Sequence, residues 1–406
     1  MTTDCAAMPR TPPSLAYLVL TLTFSHAMSV SSMMVLPAIA PVVAAEYGID
    51  PSLVGYHISV VSIGLIVSLV LFSGLSRRIG SARAAQIGQC LVAAGMMCAI
   101  LPSAAFLLPG SLVIGIGFGL LAPPASALMM RFAPPARRNL VFSIQQTSVP
   151  LGGVIAALVA PLVAVSVGWR WAFMYAIVML GIAIVLLQIG RPSWDDDRDP
   201  SHRALARNPF DSARSNWRDR KLRLLSFAGM SFCWAQFCVV TFAVVACVAV
   251  LGMSIVQAGL VLVAAQVAST VGRMAAGWIA DRIGSAGRVL TWMSWTMLVL
   301  SIGFFWLSPS WPLWFVYVMF AAIGLASGAW AGILMAEVGQ QAPPGRVAAV
   351  VGGTLLYVNI GKFTGPAVFS ATYALTHSYN IAFALLAVPA LVAIACLRAQ
   401  QRQAAT

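Results

Sequence analysis

The chain is built from long apolar runs separated by short charged segments, and this alternation limits the folds open to it. About twelve runs are almost free of charge over about 20 residues, the length that carries an α-helix across the hydrocarbon core of a bilayer. Hydrophobic residues make up 60% of the sequence and charged residues 9%, against roughly 25% charged residues in soluble domains. Because lipid cannot hydrogen-bond a backbone, such runs fold as helices. The sequence therefore predicts an all-α integral membrane protein with twelve transmembrane helices.

The spacing of the runs divides the chain into two six-helix halves. Residues 1–190 form the predicted N-terminal half, residues 191–222 a cytoplasmic linker and residues 223–406 the C-terminal half. The predicted spans are 15–38, 54–76, 84–101, 107–130, 141–166, 171–190, 223–250, 255–280, 289–308, 312–337, 347–372 and 379–397. The linker mixes acidic and basic residues with few large apolar ones, so we expect it to be mobile and unable to pack a core.

Two short sequence echoes indicate that one half duplicates the other. The run Arg-Ile-Gly-Ser-Ala at residues 78–82 recurs at residues 282–286, which is 204 positions later. The run Ala-Pro-Pro-Ala-Arg at residues 133–137 recurs as Ala-Pro-Pro-Gly-Arg at residues 342–346, which is 209 positions later. Two echoes at nearly one spacing indicate an internal repeat of about half the chain.

The later copy of the first echo lies in a charged loop with the pattern Gly277-x-x-x-Asp281-Arg282-x-Gly284-x-x-x-Arg288. This pattern resembles the loop motif between the second and third helices of each half in the major facilitator superfamily. The resemblance implies two halves related by an axis along the membrane normal, with a central site opened alternately to either side. It also implies gating roles for residues in both copies of the loop, namely Gly277, Asp281, Arg282, Gly284 and Arg288, with Arg78 and Gly80 in the first copy.

The chain departs from the family pattern at two positions. Arg77 stands where the first copy of the loop would carry an acid, which weakens the expectation of an acid-to-helix contact in that half. Arginine is missing near Ser111, a place where drug exporters driven by protons often carry one, and this counts against drug export. Residues 143–153 resemble the fifth-helix motif of small-anion permeases of the cyanate-permease kind, with polar amides beside Pro150 and paired glycines.

The distribution of charge predicts the orientation and excludes several classes of function. If the N-terminus is cytoplasmic, 21 of the 24 Lys and Arg residues lie on inward segments, as the positive-inside rule requires. We therefore expect a bacterial inner-membrane protein, monomeric, with both termini in the cytoplasm and in contact with lipid. The net charge of +13 does not indicate nucleic-acid binding, because no basic surface is interleaved with aromatic residues. Scattered cysteines and histidines predict no metal, no cofactor and no enzyme site.

Lys362 is the leading candidate for substrate contact. All eleven Asp and Glu residues fall in links or at span ends, so a buried carboxylate relay is missing from the predicted interior. Lys362 lies about 15 residues into span 11, where a cation costs about 2.5–3.5 kcal/mol. An anionic ligand would recover that cost through a charge-assisted hydrogen bond. The alternatives are a side chain that extends to the outer interface or one that pairs with an acid.

Other polar residues of the spans are weaker candidates. Arg273 on span 8 either binds substrate or holds neighbouring helices, and His26 either bonds substrate, carries a proton or packs. Cations on spans 8 and 11 resemble the arrangement in oxalate/formate-type antiporters, and the span 8 arginine resembles that of monocarboxylate carriers. The remaining candidates could line the cavity or simply bond between helices, and they are Gln145, Gln146, Gln236, Gln266, Trp330, Tyr357 and Asn359.

These features together predict a secondary active or facilitative transporter that moves a small, carboxylate-like organic anion by alternating access. One alternative is a proton-coupled exporter of drugs and other hydrophobic compounds in the same superfamily, for which Lys362 would be dispensable. A second alternative, from a different class, is a membrane receptor that transports nothing. The sequence leaves no length for the signalling domain that a receptor would normally append.

Overall fold

A computed structural model of the chain describes residues 14–72, 74–134, 137–205, 210–343 and 347–405. Helices account for the regular structure of these residues, and no strand occurs among them. Eleven helical segments of this part of the chain are long and apolar enough to cross a membrane. They are α1 (Leu15–Tyr47), α2 (Pro51–Leu71), α3 (Ser81–Ile100), α4 (Ala104–Phe132), α5 (Ile144–Ser166), α6 (Trp169–Trp194), α7 (Arg220–Leu251), α8 (Ile255–Ile283), α9 (Ala286–Trp306), α10 (Leu313–Gln341) and α12 (Tyr379–Arg402).

The helix Val347–Thr376, which we number α11, is 30 residues long and lies where the sequence predicts the eleventh span. The predicted all-helical membrane architecture is confirmed. The largest error in the bounds is at α1, which was expected to end at residue 38 and continues to Tyr47. Pro37 and Pro41 lie inside this helix, and the chain bends at Ile39, whose φ of −126° and ψ of 16° are not helical. Membrane helices tolerate such prolines because neighbouring helices surround the interrupted backbone.

The duplication seen in the sequence is repeated in the packing of α4 and α10. A Cβ added at Gly115 on α4 would lie 2.8 Å from the carbonyl carbon of Val61 on α2. A Cβ added at Gly324 on α10 would lie 2.9 Å from the carbonyl carbon of Ala265 on α8. The two glycines are 209 positions apart and their two partners 204, which are the offsets of the sequence echoes. Small residues thus let the same helix pair approach closely in each half.

Each of these helices is also interrupted at the corresponding place. The first part of α4 ends at Gly119 and its second part starts at Ala122, whereas in α10 the corresponding residues are Gly328 and Ala331. Gly119 and Gly328 differ by the same 209 positions. A break leaves the last carbonyl groups of the first part without helical partners, so polar side chains can bind there.

The two halves meet through α2 with α11 and through α5 with α8, on the side of the bundle opposite both termini. The Ser59 hydroxyl donates to the Phe363 carbonyl at 2.7 Å, and the Ser370 hydroxyl donates to the Ser52 carbonyl at 2.6 Å. A Cβ added at Gly259 on α8 would lie 2.5 Å from the carbonyl oxygen of Ala157 on α5. The halves are therefore in close backbone contact at this end.

The expectation that residues 191–222 cannot pack a core was wrong for several of them. Trp194 is buried at the end of α6, and the short helix Asp211–Arg218, called the linker helix below, contacts the start of α11. The buried Asn216 amide donates to the Val350 carbonyl at 2.8 Å and to the Thr354 hydroxyl at 3.0 Å. Composition described the average polarity of the segment, whereas individual side chains found partners on the helices beside them.

Candidate functional site between the two halves

Lys362 is buried halfway along α11 and touches both halves of the molecule. The residue is 4% exposed, and its Nζ lies 3.4 Å from the sulfur of Met33 on α1. The Nζ also lies 5.3 Å from the ring centroid of Phe118 on α4 and 4.5 Å from that of Phe237 on α7. The α11 ammonium thus reaches two residues of the opposite half and one of its own.

The ammonium has more hydrogen-bonding capacity than these neighbours use. Ring faces attract a cation through their quadrupole, and a thioether is a weak acceptor. No acidic side chain among the described residues forms an ion pair with Lys362. An ammonium carries three N–H donors, so a carboxylate entering this site would meet donors that lack a strong acceptor. Neither exposure at the outer interface nor pairing with an acid explains the residue.

His26 lies beside the same aromatic ring. Its imidazole centroid is 5.2 Å from the centroid of Phe118, and the residue is 7% exposed. Its Nδ1 is buried and has no hydrogen-bond partner among the described residues. A buried polar nitrogen without a partner lowers the stability of the folded protein by about 1–3 kcal/mol. A hydrogen bond to a ligand group would offset that cost.

His57 differs from His26, because both of its ring nitrogens have protein partners. Its Nδ1 lies 2.6 Å from the Ser111 hydroxyl, and its Nε2 lies 3.1 Å from the Met33 carbonyl oxygen. These contacts hold α2 against α4 and α1. Ser111 stands near the position where the family's arginine is missing, and here it bonds His57.

Three predicted site residues on α7, α8 and α10 are buried and carry polar groups, and two of them hydrogen-bond to each other. The Trp330 indole N–H donates to the Gln236 amide oxygen at 3.0 Å, and its ring stacks on Phe232 with centroids 6.2 Å apart. The Gln266 amide lies so close to Gly153 on α5 that a Cβ there would overlap its nitrogen. Gln236 and Trp330 therefore bond between helices of one half, whereas Gln266 contacts the other half.

Two of the predicted site residues on α11 bond elsewhere. The Tyr357 hydroxyl donates to the Ala213 carbonyl of the linker helix at 3.3 Å, and the Asn359 amide donates to Leu355 one turn earlier at 2.8 Å. Tyr357 precedes Lys362 by five residues, which places it roughly 140° away around a helix of 3.6 residues per turn. The hydroxyl of Tyr357 and the amide of Asn359 thus bond to protein groups here, and their role in lining a cavity stays a prediction.

The predicted glutamines at the start of α5 differ from each other in exposure. Gln145 is buried and Gln146 is exposed, and the helix is interrupted at Thr147 directly after them. Neither is among the residues that contact Lys362. Their role in binding stays a prediction, and the structure favours Gln145 because its side chain faces the protein.

Arg273 binds the interrupted end of α10. Its Nε donates to the Gly328 carbonyl at 3.0 Å, and its side chain is half-buried. Gly328 ends the first part of α10, where free carbonyl groups give a helix its partial negative charge. This contact matches the structural alternative for Arg273, and its role as a ligand contact stays a prediction.

The charged loop of the C-terminal half does not form the expected helix contact in this conformation. Asp281 and Arg288 are exposed, and Asp281 has no ion pair with another described residue. The Arg282 guanidinium instead lies over the Trp278 ring, 5.2 Å from its centroid. Gly284 ends α8 with a φ of 68°, a left-handed conformation that favours glycine. A gating role for Gly277, at which an added Cβ would meet open space, also stays a prediction.

In the first copy of the loop, the missing acid is supplied from the end of α6. The Asp195 carboxylate accepts from the backbone N–H groups of Ala82 at 2.7 Å and Arg83 at 3.0 Å, which caps the start of α3. Burial raises the pKa of this carboxyl, and the two N–H donors and the nearby Arg191 oppose part of that rise. Gly80 has a φ of 98°, and any side chain on it would collide with Asp195. Arg78 is exposed.

The sequence pointed to Lys362 and His26 but missed the residues that surround them. Met33, Phe118 and Phe237 are ordinary apolar residues of long apolar runs, and no local pattern distinguishes them. A groove of about 610 Å³ between α3 and α6 includes none of these residues. No group of three or more potential metal ligands occurs among the described residues.

Comparison with known proteins identifies the family. The sequence profile described as Major Facilitator Superfamily matches residues 20–366. The chain belongs to the Major Facilitator Superfamily. The resemblance of its charged loop to that family is thereby confirmed, as is its assignment as a membrane transporter.

Several relatives within the superfamily are named for aromatic acids. A Bacillus subtilis relative named for niacin/nicotinamide transport, NiaP, is 27% identical over 366 residues, which is 87% of each chain. The gentisate transporter of Corynebacterium glutamicum is 29% identical over 35% of this chain and 33% of its own. The benzoate transport protein of Acinetobacter baylyi is 24% identical over 36% of this chain and 32% of its own.

Solved structures of transporters share the fold. A bacterial homologue of the human lysosomal transporter Spinster, in an inward-facing conformation, superposes with a TM-score of 0.73 at 15% identity. The match covers 97% of this chain and 98% of that one. A POT family transporter in complex with 5-aminolevulinic acid gives a TM-score of 0.73 at 15% identity over 97% and 96%. At these identities the likeness concerns the fold alone.

Proposed function

We propose that this protein is a secondary carrier of small aromatic carboxylates. The observation that supports it most is the buried ammonium of Lys362, which lies between the halves with two aromatic rings and no acidic partner among the described residues. A carboxylate would bind the free N–H donors, and its ring would pack against Phe118 or Phe237. Relatives named for niacin, gentisate and benzoate support the same class of substrate.

A bound carboxylate would give the Lys362 ammonium the strong acceptor that its protein neighbours do not provide. A hydrogen bond to a charged group contributes about 1.5–3 kcal/mol, which is roughly 10-fold to 150-fold in the dissociation constant. The Lys362 ammonium repels ligands that carry a positive charge. The apolar surroundings strengthen this repulsion because they lower the local dielectric constant. Charge therefore selects anions, and the rings select flat apolar bodies.

Movement of the substrate would follow from rocking of the two halves about the site. The close contacts of α2 with α11 and of α5 with α8 shut the side opposite the termini. With both termini placed in the cytoplasm of a bacterial inner membrane, the side shut by these contacts would be the outer one. Opening the other side requires that these contacts separate, and the exposed Asp281 loop would then approach neighbouring helix ends.

The alternative of a drug exporter makes a different demand on the same site. An exporter of hydrophobic or cationic compounds would not need Lys362, and the buried ammonium would repel a cationic drug. One relative is named a multidrug transporter, at 30% identity over 24% of this chain, so that alternative is included in the test. The receptor alternative has no comparable support, because the named relatives are transporters.

Thermal unfolding of the purified protein against a panel of ligands tests the proposal. Benzoate and nicotinate at 100 times their dissociation constants should each stabilise the protein by about 2.7 kcal/mol, whereas tetraphenylphosphonium should not. Reconstituted vesicles should then take up labelled benzoate. If tetraphenylphosphonium stabilises the protein and no carboxylate does, the site is not a carboxylate site.

A further inference from the structure

We propose that His26 is a specificity-determining contact that binds a polar atom on the ring of the substrate. The substrates would then be aromatic carboxylates whose ring carries a hydroxyl group or a nitrogen atom, in preference to plain benzoate. This inference rests on the proposed function, because it assumes that Lys362 binds the carboxylate. It assigns the opposite end of the same ligand.

Both polar groups lie close to one aromatic ring, that of Phe118. The Lys362 ammonium is 5.3 Å from the Phe118 centroid, and the His26 centroid is 5.2 Å from the same point. The ammonium and the imidazole centroid are therefore no farther apart than the sum of those distances, 10.5 Å. One six-membered ring that carries a carboxylate and a polar ring atom or substituent fits within that limit.

The hydrogen-bonding state of His26 gives the second, independent observation. Its Nδ1 is buried without a partner among the described residues, although the residue is more than nine-tenths buried. His57, the other buried histidine of the first half, has partners on both ring nitrogens. His57 shows that protein groups of this half can satisfy both nitrogens of a buried histidine, whereas the Nδ1 of His26 is left for another partner.

A neutral imidazole carries one donor and one acceptor nitrogen, so His26 can bond either type of ring substituent. A phenolic hydroxyl would donate to the acceptor nitrogen, and a pyridine nitrogen would accept from the N–H. Benzoate offers neither and would leave the imidazole unbonded. A site built to hydrogen-bond a ligand group rejects the analogue that lacks it, because its own polar atom then stays buried and unpaired.

Binding of three ligands to the wild type and to His26→Phe tests the inference. By isothermal titration calorimetry, the wild type should bind nicotinate and 3-hydroxybenzoate roughly 10-fold more tightly than benzoate. In His26→Phe this preference should disappear, while the affinity for benzoate stays within about 3-fold of the wild type. His26→Gln keeps a donor and an acceptor, so it should retain part of the preference.

The outcomes separate this inference from the proposed function. If the wild type binds none of the three carboxylates, both the proposed function and this inference are refuted. If the wild type binds benzoate as tightly as the other two, or if His26→Phe keeps the full preference, only the role of His26 is refuted. Should His26→Phe not fold, His26→Leu in the same titrations gives the same comparison.

Discussion

Replacing Lys362 by methionine is expected to weaken carboxylate binding without making the ligand-free protein less stable. Methionine keeps most of the length and the apolar contacts of the side chain and removes the charge. Loss of a charge-assisted hydrogen bond should raise the dissociation constant for benzoate roughly 10-fold to 150-fold. Most substitutions of a buried residue destabilise, so this combination of effects is unusual and specific.

The expected stability follows from the surroundings of the ammonium. A cation at this depth costs about 2.5–3.5 kcal/mol, and each of the two rings recovers on the order of 1 kcal/mol. Removing the charge removes both the burial cost and the attraction of the rings. The free energy of unfolding of Lys362→Met should therefore rise by on the order of 1 kcal/mol. The variant should therefore insert, purify and unfold at a temperature no lower than that of the wild type.

The assay combines thermal unfolding with uptake of labelled benzoate into reconstituted vesicles. The matched control is Lys221→Met, because Lys221 is the only other lysine of the sequence and lies at the start of α7. Its backbone N–H, which the substitution keeps, donates to Asp219 at 2.9 Å. The control should bind benzoate and transport it like the wild type. Normal uptake by Lys362→Met, or unfolding of that variant at a clearly lower temperature, would refute the reasoning.

Three further predictions concern the conformational change and the linker. Gly55→Leu places a side chain against Pro366 and should keep the closed end from closing. It should therefore stop uptake and raise the labelling of cysteines at that end. Gly181→Leu, which adds a side chain in open space, should do neither. Gly80→Ala should lower the free energy of unfolding by about 1–3 kcal/mol in a thermal melt, and an unchanged melt contradicts the Asp195 cap. Asn216→Ala removes two hydrogen bonds and should speed proteolysis of the linker about tenfold; an equal rate would show that the linker helix is not held there.

The helices could be predicted from the sequence because apolar length and charged breaks depend on local composition. The sequence echoes predicted an internal repeat, and the close packing of Gly115 and Gly324 is found at the same offset. The error at α1 arose because proline ends helices in water but not where other helices surround it.

The site was only partly predictable, because the sequence gives spacing along one helix but not the faces of other helices. Lys362 and His26 stood out as polar residues in apolar runs. Phe118 and Phe237 did not, since an aromatic residue facing a cation looks the same in sequence as one facing lipid. Tyr357 shares the helix of Lys362, and only the three-dimensional path of the linker shows that its hydroxyl bonds Ala213.

The linker contacts the protein near both of its ends, and the stretch between these contacts limits the distance between the halves. Arg131 on α4 holds Asp196 at 2.6 Å and Asp197 at 3.1 Å, and the Asp199 N–H donates to the Arg77 carbonyl at 2.8 Å. The linker helix begins at Asp211. Twelve residues of chain reach at most about 40 Å when fully extended. In the proposed rocking movement the inner ends of the halves could separate no farther than this length allows, so deleting residues from this stretch should shorten the movement.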